Sequence, residues 1–249
     1  MRKFGLVGYP LGHSFSKKFF SEKFHREGIQ DCTYENFPLR DIGLLRKLVS
    51  DEQLCGLNIT IPYKTEVIPL LDRIDPQAEK VGAVNVIKIK RHSGPPELTG
   101  YNSDIFGIAE TIRPVIGSAV EKALVLGSGG SSKSVCHVLS SMNIEYISVS
   151  RKRKPGFITY GDIDREIIQN VRLIVNTTPV GMFPDTESFP DIDYDLLGPG
   201  HILFDLVYNP EMTTFLRKGK ERGCTVVTGT KMLHSQAEKS WEIWNSEKY

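Results

Sequence analysis

Three observations predict an α/β fold with a nucleotide-binding half. Short apolar strands alternate with helical stretches from Phe4 onward, the pattern of mostly parallel sheets. A buried strand, a Gly-rich turn and an amphipathic helix succeed one another in ALVLGSGGSSKSVCHVLSSM, residues 123–142. A last helix, from Thr230 to about Ser246, carries Leu233, Ala237, Trp241 and Trp244 on one apolar face.

At 249 residues the chain has room for one large domain or two small ones. The formal net charge is +1, so no global field argues for nucleic acid or an anionic membrane as a partner, and any basic site must be local. Cys32, Cys55, Cys136 and Cys224 lie far apart, with no CxxC pair and no His at metal-ligand spacing. They read as reduced structural thiols and suit the cytoplasm. No apolar run approaches the ~20 residues of a membrane span, and MRKFGLVGYP lacks the apolar core of a signal peptide.

In chain order, Phe4 to Val7 reads as a buried strand ended by a turn at Gly8, Pro10 and Gly12. Next comes HSFS. In an extended segment Ser14 and Ser16 point to one side, where two O–H donors suit a carboxylate; equally, Ser16 is the N-cap of a helix from Lys17 to Glu27. His13 reads as a turn residue. TYENFPL reads as a second strand, Asp41 to Ser50 as a helix and GLNITI as a third strand.

The stretch GLNITIPYK, residues 56–64, has the greatest chemical density. Leu57, Ile59 and Ile61 alternate with Asn58 and Thr60, giving one apolar face and one polar face. Pro62 suits the first position of a helix, which puts Lys64 in its first turn, beside a positive terminus that disfavours the lysine's charge. Lys64 therefore reads as an acid–base group or as a solvated lysine on an ordinary strand-to-helix turn. Asn85, set between Val84 and Val86, is costly to bury unbonded, so it marks a structural bracket or a ligand contact. In GYNSDIFG, Asn102 and Asp104 precede a helix from Ile105 to about Ile112, and Asp104 alone is an ordinary helix N-terminal acid.

A boundary falls at Gly117 to Lys122. In the turn that follows, Gly127, Gly129 and Gly130 permit a tight bend and bring helix N–H groups to face a pyrophosphate. The pattern is GxGGxx, with Ser132 at the third glycine position of GxGxxG. The strand Glu145 to Ser150 ends in RKRK where an NAD site presents an acid, so Arg151 and its neighbours offer cations to a 2'-phosphate and favour NADP. Asn176, Thr177 and Thr178 end the next strand, and Asp205 and Tyr208 follow the one after. Gln236 lies beside the apolar face of the last helix, within reach of a ligand or turned to solvent.

Taken in order, HSFS, NITIPYK, GAVN, GYNSD, GSGG, NTTPVGM, DLVY and GTKMLHSQ resemble the signatures of the shikimate dehydrogenase family over nearly the whole chain. The resemblance implies a substrate domain at 1–103 and 232–249, a Rossmann-type NADP domain at 104–231, and a final helix that returns to the first domain. It implies that Ser14 and Ser16 hold the substrate carboxylate, with Asn58, Thr60, Asn85, Asn102, Tyr208 and Gln236 around the ring and its hydroxyls. Lys64 and Asp104 would be catalytic. NADP would be lined by Gly127, Ser128, Gly129, Gly130 and Ser131, by Ser150, Arg151 and Lys152, by Asn176, Thr177 and Thr178, and by Leu206, Gly229 and Met232.

Departures from the family pattern are Lys17 in place of Pro, Phe19-Phe20 in place of His-Asn, Val86 and Ser103 in place of Thr, and Ser150 in place of Asn. None removes Lys64 or Asp104. The implied reaction is reversible reduction of 3-dehydroshikimate to shikimate on the route to chorismate, by a cytoplasmic monomer or homodimer with no metal. A dual quinate/shikimate dehydrogenase shares these motifs. Methylenetetrahydrofolate dehydrogenase is disfavoured by the paired serines and the NSD motif, and a non-catalytic NADP sensor by the presence of both Lys64 and Asp104.

Overall fold

The apolar run at the N-terminus becomes β1 (Arg2–Gly8), which pairs in parallel with β2 (Cys32–Pro38) and with β3 (Leu54–Ile59). Period-two alternation decides what each face buries: Val7 joins Leu57, Ile59 and Ile87 on one side, while Phe4 and Leu6 join Phe20, Tyr34 and Trp244 on the other. A computed structural model describes residues 1–11, 15–91, 94–117 and 120–247. The chain divides into Met1–Asp104 with Gln236–Tyr249, and Ile105–Ser235. Asp104 thus falls with the first unit, and residues 232–235 with the second.

The first unit's sheet is completed by β4 (Arg73–Ile74), β5 (Val86–Lys90) and β6 (Glu97–Tyr101), in the order β2-β1-β3-β5-β6-β4. β5 runs antiparallel to both β3 and β6. Helix α1 (Phe15–Arg26) starts earlier than expected, so Ser16 lies in its first turn and not in an extended segment. Ser14 and His13 lie outside the described residues. The helix expected over Asp41–Ser50 shrinks to a 3-10 turn (Ile42–Leu44), capped by the Asp41 side chain, and the four-residue α2 (Leu45–Leu48). Nor does a helix follow Pro62. Residues 61–67 form successive turns, with Tyr63 N–H bonded to Thr60 O, and a 3-10 helix over Ile68–Leu70 contains Pro69, whose missing N–H bars a longer α-helix. Helix α3 (Pro76–Val81) follows.

Helix α4 (Asp104–Ile116) extends beyond its expected end and includes Pro114. The second unit then builds β7 (Lys122–Leu126), α5 (Gly130–Ser141), β8 (Glu145–Ser150), β9 (Ile158–Thr159), α6 (Arg165–Asn170), β10 (Leu173–Asn176), β11 (Ile202–Asp205), α7 (Thr214–Glu221) and β12 (Thr225–Val227). Its sheet is parallel throughout, in the order β12-β11-β10-β7-β8-β9. That order is doubly wound, and it reverses between β7 and β10, where such sheets bind ligands at their carboxyl ends.

Helix α8 (Thr230–Asn245) closes the chain. Within the first unit its Trp244 stacks on Phe4 at 4.7 Å, and the indole N–H donates to the Ile87 carbonyl at 3.1 Å. The ring lies so close to β3 that a Cβ on Gly56 would come within 2.4 Å of it, which explains a glycine inside that strand. Lys88 reaches from β5 to donate to the carbonyls of Ile243 and Ser246, at 3.0 and 2.5 Å, and so caps the helix end.

Candidate active site

Lys64 and Asp104 meet. The ammonium donates to Asp104 Oδ2 at 2.6 Å, with the two side chains 13% and 4% exposed. Three pieces of chain make this contact: the turn after β3 carries Lys64, the first residue of α4 is Asp104, and the segment entering β5 supplies Asn85, whose amide donates to Asp104 Oδ1 at 2.8 Å. The Lys64 carbonyl accepts from Val84 N–H at 2.7 Å, so the lysine backbone is fixed to that same entering segment. Both carboxylate oxygens of Asp104 are therefore occupied by donors, as a buried charge requires.

Behind the pair runs a buried polar chain. Ser103 N–H donates to Asn85 Oδ1 at 2.7 Å, and Asn85 Nδ2 also donates to Ser103 Oγ at 3.0 Å. Ser240 Oγ lies 3.1 Å from Ser103 Oγ, donates to the Gln236 carbonyl at 2.8 Å and accepts from Asn58 Nδ2 at 2.9 Å. Asn58 Oδ1 in turn accepts from the Tyr34 hydroxyl at 2.8 Å, and the Ser16 hydroxyl faces the same phenol. Burial pushes the Tyr34 phenol well above its ordinary range, so it remains a neutral donor.

Asn58 Nδ2 serves Ser240 and the Asn85 carbonyl, and Asn85 Nδ2 serves Ser103 and Asp104, so both N–H groups of each amide are committed. Among the described residues each amide Oδ1 accepts a single hydrogen bond, which leaves one lone pair. Such amides accept from hydroxyls, the complement of a polyhydroxylated ligand. Asn102 is buried, with its amide donating to the Ala83 carbonyl at 2.9 Å, and Thr60 is half-buried just past β3. Gln236 is buried, not turned to solvent, and its Oε1 lies 3.4 Å from Ser103 Oγ. Tyr208 belongs to the second unit and is half-buried there.

In the second unit the glycine turn fits a dinucleotide. Gly127 has φ +119°, and a Cβ there would fall 2.4 Å from Thr177 Oγ1. A Cβ on Gly129, the N-cap of α5, would meet nothing within 4 Å, so there is space beside the backbone at the start of that helix. At the end of β8 the Ser150 hydroxyl bonds the Lys152 carbonyl. Arg153 pairs with Asp162 and Lys154 covers the Phe157 ring, whereas Arg151 and Lys152 are exposed and join no ion pair among the described residues. Thr177 donates to the Leu126 carbonyl, and Thr178 bonds Asn176. Gly229 packs against the Asp205 and Leu206 carbonyls, and Met232 is buried. The residues present fit NADP.

A doubly wound parallel sheet with a glycine turn and a basic strand end, in a chain that also holds a Lys–Asp pair, defines a nicotinamide nucleotide-dependent oxidoreductase. A family model described as the shikimate dehydrogenase substrate binding domain matches residues 6–87. A curated relative from Methanosphaera stadtmanae, named shikimate dehydrogenase (NADP(+)), is 33% identical over 98% of this chain and 91% of its own. Among solved structures, shikimate dehydrogenase 1 from Peptoclostridium difficile matches with a TM-score of 0.84 and 35% identity, over 98% of this chain and 91% of that one. Shikimate 5-dehydrogenase from Thermus thermophilus, solved in complex with NADP(H) and shikimate, gives 0.82 and 30%, over 98% and 94%. The chain belongs to the shikimate dehydrogenase family.

Tyr34 and Ser240 were missed in the sequence. Tyr34 sits in an ordinary strand pattern, and Ser240 is one helical turn beyond Gln236 on α8; only the i, i+4 spacing of those two polar residues beside an apolar face signalled it. Ser240→Ala removes the acceptor of Asn58 and the neighbour of Ser103 in a buried setting. It is expected to lower folding stability by about 1–3 kcal/mol, read as a shift in the urea midpoint with an unchanged slope.

Proposed function

We propose that this chain is an NADP-dependent shikimate dehydrogenase that interconverts 3-dehydroshikimate and shikimate, with the first unit binding substrate and the second binding NADP. The observation that carries the proposal is the buried Lys64–Asp104 pair braced by Asn85, beside amides whose remaining capacity is to accept from hydroxyls. When bound, NADPH supplies the hydride for the ring carbonyl carbon. Lys64 gives the proton to the carbonyl oxygen and takes it back from the hydroxyl in oxidation. Asp104 holds the ammonium in place and balances its charge, and Asn85 holds Asp104. Asn58 and Asn85 accept from ring hydroxyls, Thr60, Asn102, Tyr208 and Gln236 complete the ring's surroundings, and Ser14 and Ser16 take the carboxylate. Gly127 to Ser131 receive the pyrophosphate, and Arg151 and Lys152 receive the 2'-phosphate.

A quinate/shikimate dual enzyme is not favoured, since curated relatives at 33% and 34% identity are named shikimate dehydrogenase (NADP(+)), whereas a solved quinate dehydrogenase is 24% identical. The four cysteines are free thiols, which supports a reducing compartment such as the cytoplasm, and no helix among the described residues is long and apolar enough to cross a membrane. We take the assembly to be a monomer or homodimer.

The test is a spectrophotometric assay of the purified protein with shikimate or quinate against NADP or NAD. Shikimate with NADP is expected to give the highest kcat/KM, and NAD matching NADP contradicts the cofactor assignment. In the same assay Lys64→Ala is expected to lower kcat at least about a hundredfold with little change in the shikimate KM. Turnover near that of the parent protein contradicts the role of Lys64.

A further inference from the structure

A second buried carboxylate has no part in the chemistry above. Asp205 ends β11 in the second unit with 0% exposure, and no ion pair among the described residues includes it. Three donors hold it: Asn176 Nδ2 and Val207 N–H on Oδ1, each at 3.0 Å, and the Thr213 hydroxyl on Oδ2 at 2.6 Å. An acid in this position lacks the counter-charge that most buried carboxylates have, so its retention calls for a reason.

Asn176 supplies one. It is fully buried at the end of β10, and its Nδ2 divides between Asp205 and the Val180 carbonyl. A carboxylate accepts only, so Asp205 fixes which way the amide lies. Asn176 Oδ1 then faces the next turn and accepts both the Thr178 N–H at 3.0 Å and the Thr178 hydroxyl at 2.6 Å. The turn so shaped holds Thr177 on the Leu126 carbonyl at 2.7 Å, directly against the glycine turn at Gly127. On the other side the Asp205 and Leu206 carbonyls pack on Gly229, where a Cβ would come within 2.9 and 2.7 Å.

We propose that Asp205 is a positioning residue of the cofactor site: its ionised carboxylate orients Asn176 and thereby sets the Thr177–Thr178 turn against the glycine turn before NADP binds. The proposal rests on the NADP assignment above. Burial pushes the Asp205 carboxyl up to about 6, against the opposing pull of its three donors. Burial raises the Tyr194 phenol, and the nearby Asp205 charge raises it further, so it stays neutral with its hydroxyl on the Pro190 carbonyl. β10 and β12 carry no ionisable side chain. On α7, Lys218 covers the Phe189 and Tyr194 rings, and Arg217 reaches Glu187 and Thr214.

The experiment is calorimetric titration of NADP into the full-length protein and into Asp205→Asn, at pH 8 and at pH 5. Asparagine is isosteric with the protonated acid, and titration of the cofactor's own 2'-phosphate cancels in the ratio of the two dissociation constants. The ratio is expected to be at least about fivefold at pH 8, the loss of one charge-assisted contact, and to fall toward one at pH 5, below the value of about 6 to which burial raises the Asp205 carboxyl. The KM for shikimate is expected to stay within about twofold, a split that a general loss of folding does not give. Equal affinities at pH 8, or the same ratio at both pH values, overturn the proposal while leaving the NADP assignment intact; a parent protein that does not bind NADP overturns both. Should the variant not fold, the parent protein's affinity for NAD, whose pyrophosphate does not titrate in this range, is expected to weaken as pH falls through about 6, and a flat profile overturns the proposal.

Discussion

The ion pair between Lys64 and Asp104 is the constraint that most of the first unit answers to. Two opposite charges at 13% and 4% exposure have each lost most of their hydration, and only close contact with full hydrogen bonding makes that tolerable. The contact needs a turn after β3, the entry to β5 and the start of α4 at one place, although Lys64 and Asp104 are 40 residues apart in the chain. Asn85 makes the pairing specific, because Ser103 N–H orients its amide and the amide then takes one oxygen of Asp104, leaving the other to Lys64. A lysine held this way is in place before substrate arrives, which is what the proposed acid–base role of Lys64 requires.

The same logic recurs across the polar interior. Tyr34, Asn58, Ser240, Ser103 and Asn85 satisfy one another, which removes the penalty of burying them and leaves Oδ1 lone pairs as the capacity the two amides have left. In the second unit Asp205, Asn176 and Thr178 form a comparable series beneath the glycine turn. In each unit a buried amide bridges a carboxylate oxygen to a backbone N–H.

Local signals made much of this legible in the sequence. The strand ends at Ser150 and Asn176, the glycine turn, and the helix from Thr230 follow from apolar periodicity and from the conformational demands of Gly127, which act over a few residues. The motif order carried the family. What stayed hidden depended on distance in the chain. Pro62 did not open a helix: residues 61–67 form successive turns, and a 3-10 helix follows over Ile68–Leu70. Ser16 entered α1, since the helix begins at Phe15 and not after the serine. The burial of Gln236 and the partners of Ser240 are set by α8 lying on the first unit's sheet, a contact between residues such as Trp244 and Phe4 that no local pattern encodes.

If Lys64 and Asp104 act as one acid–base unit, removing both costs little more than removing one. A double-mutant cycle in kcat/KM for shikimate oxidation by NADP, using Lys64→Ala, Asp104→Ala and the combined variant, measures this directly. Joint action predicts a combined variant about as slow as the slower single variant. Losses that multiply, as for two independent sites, would contradict it.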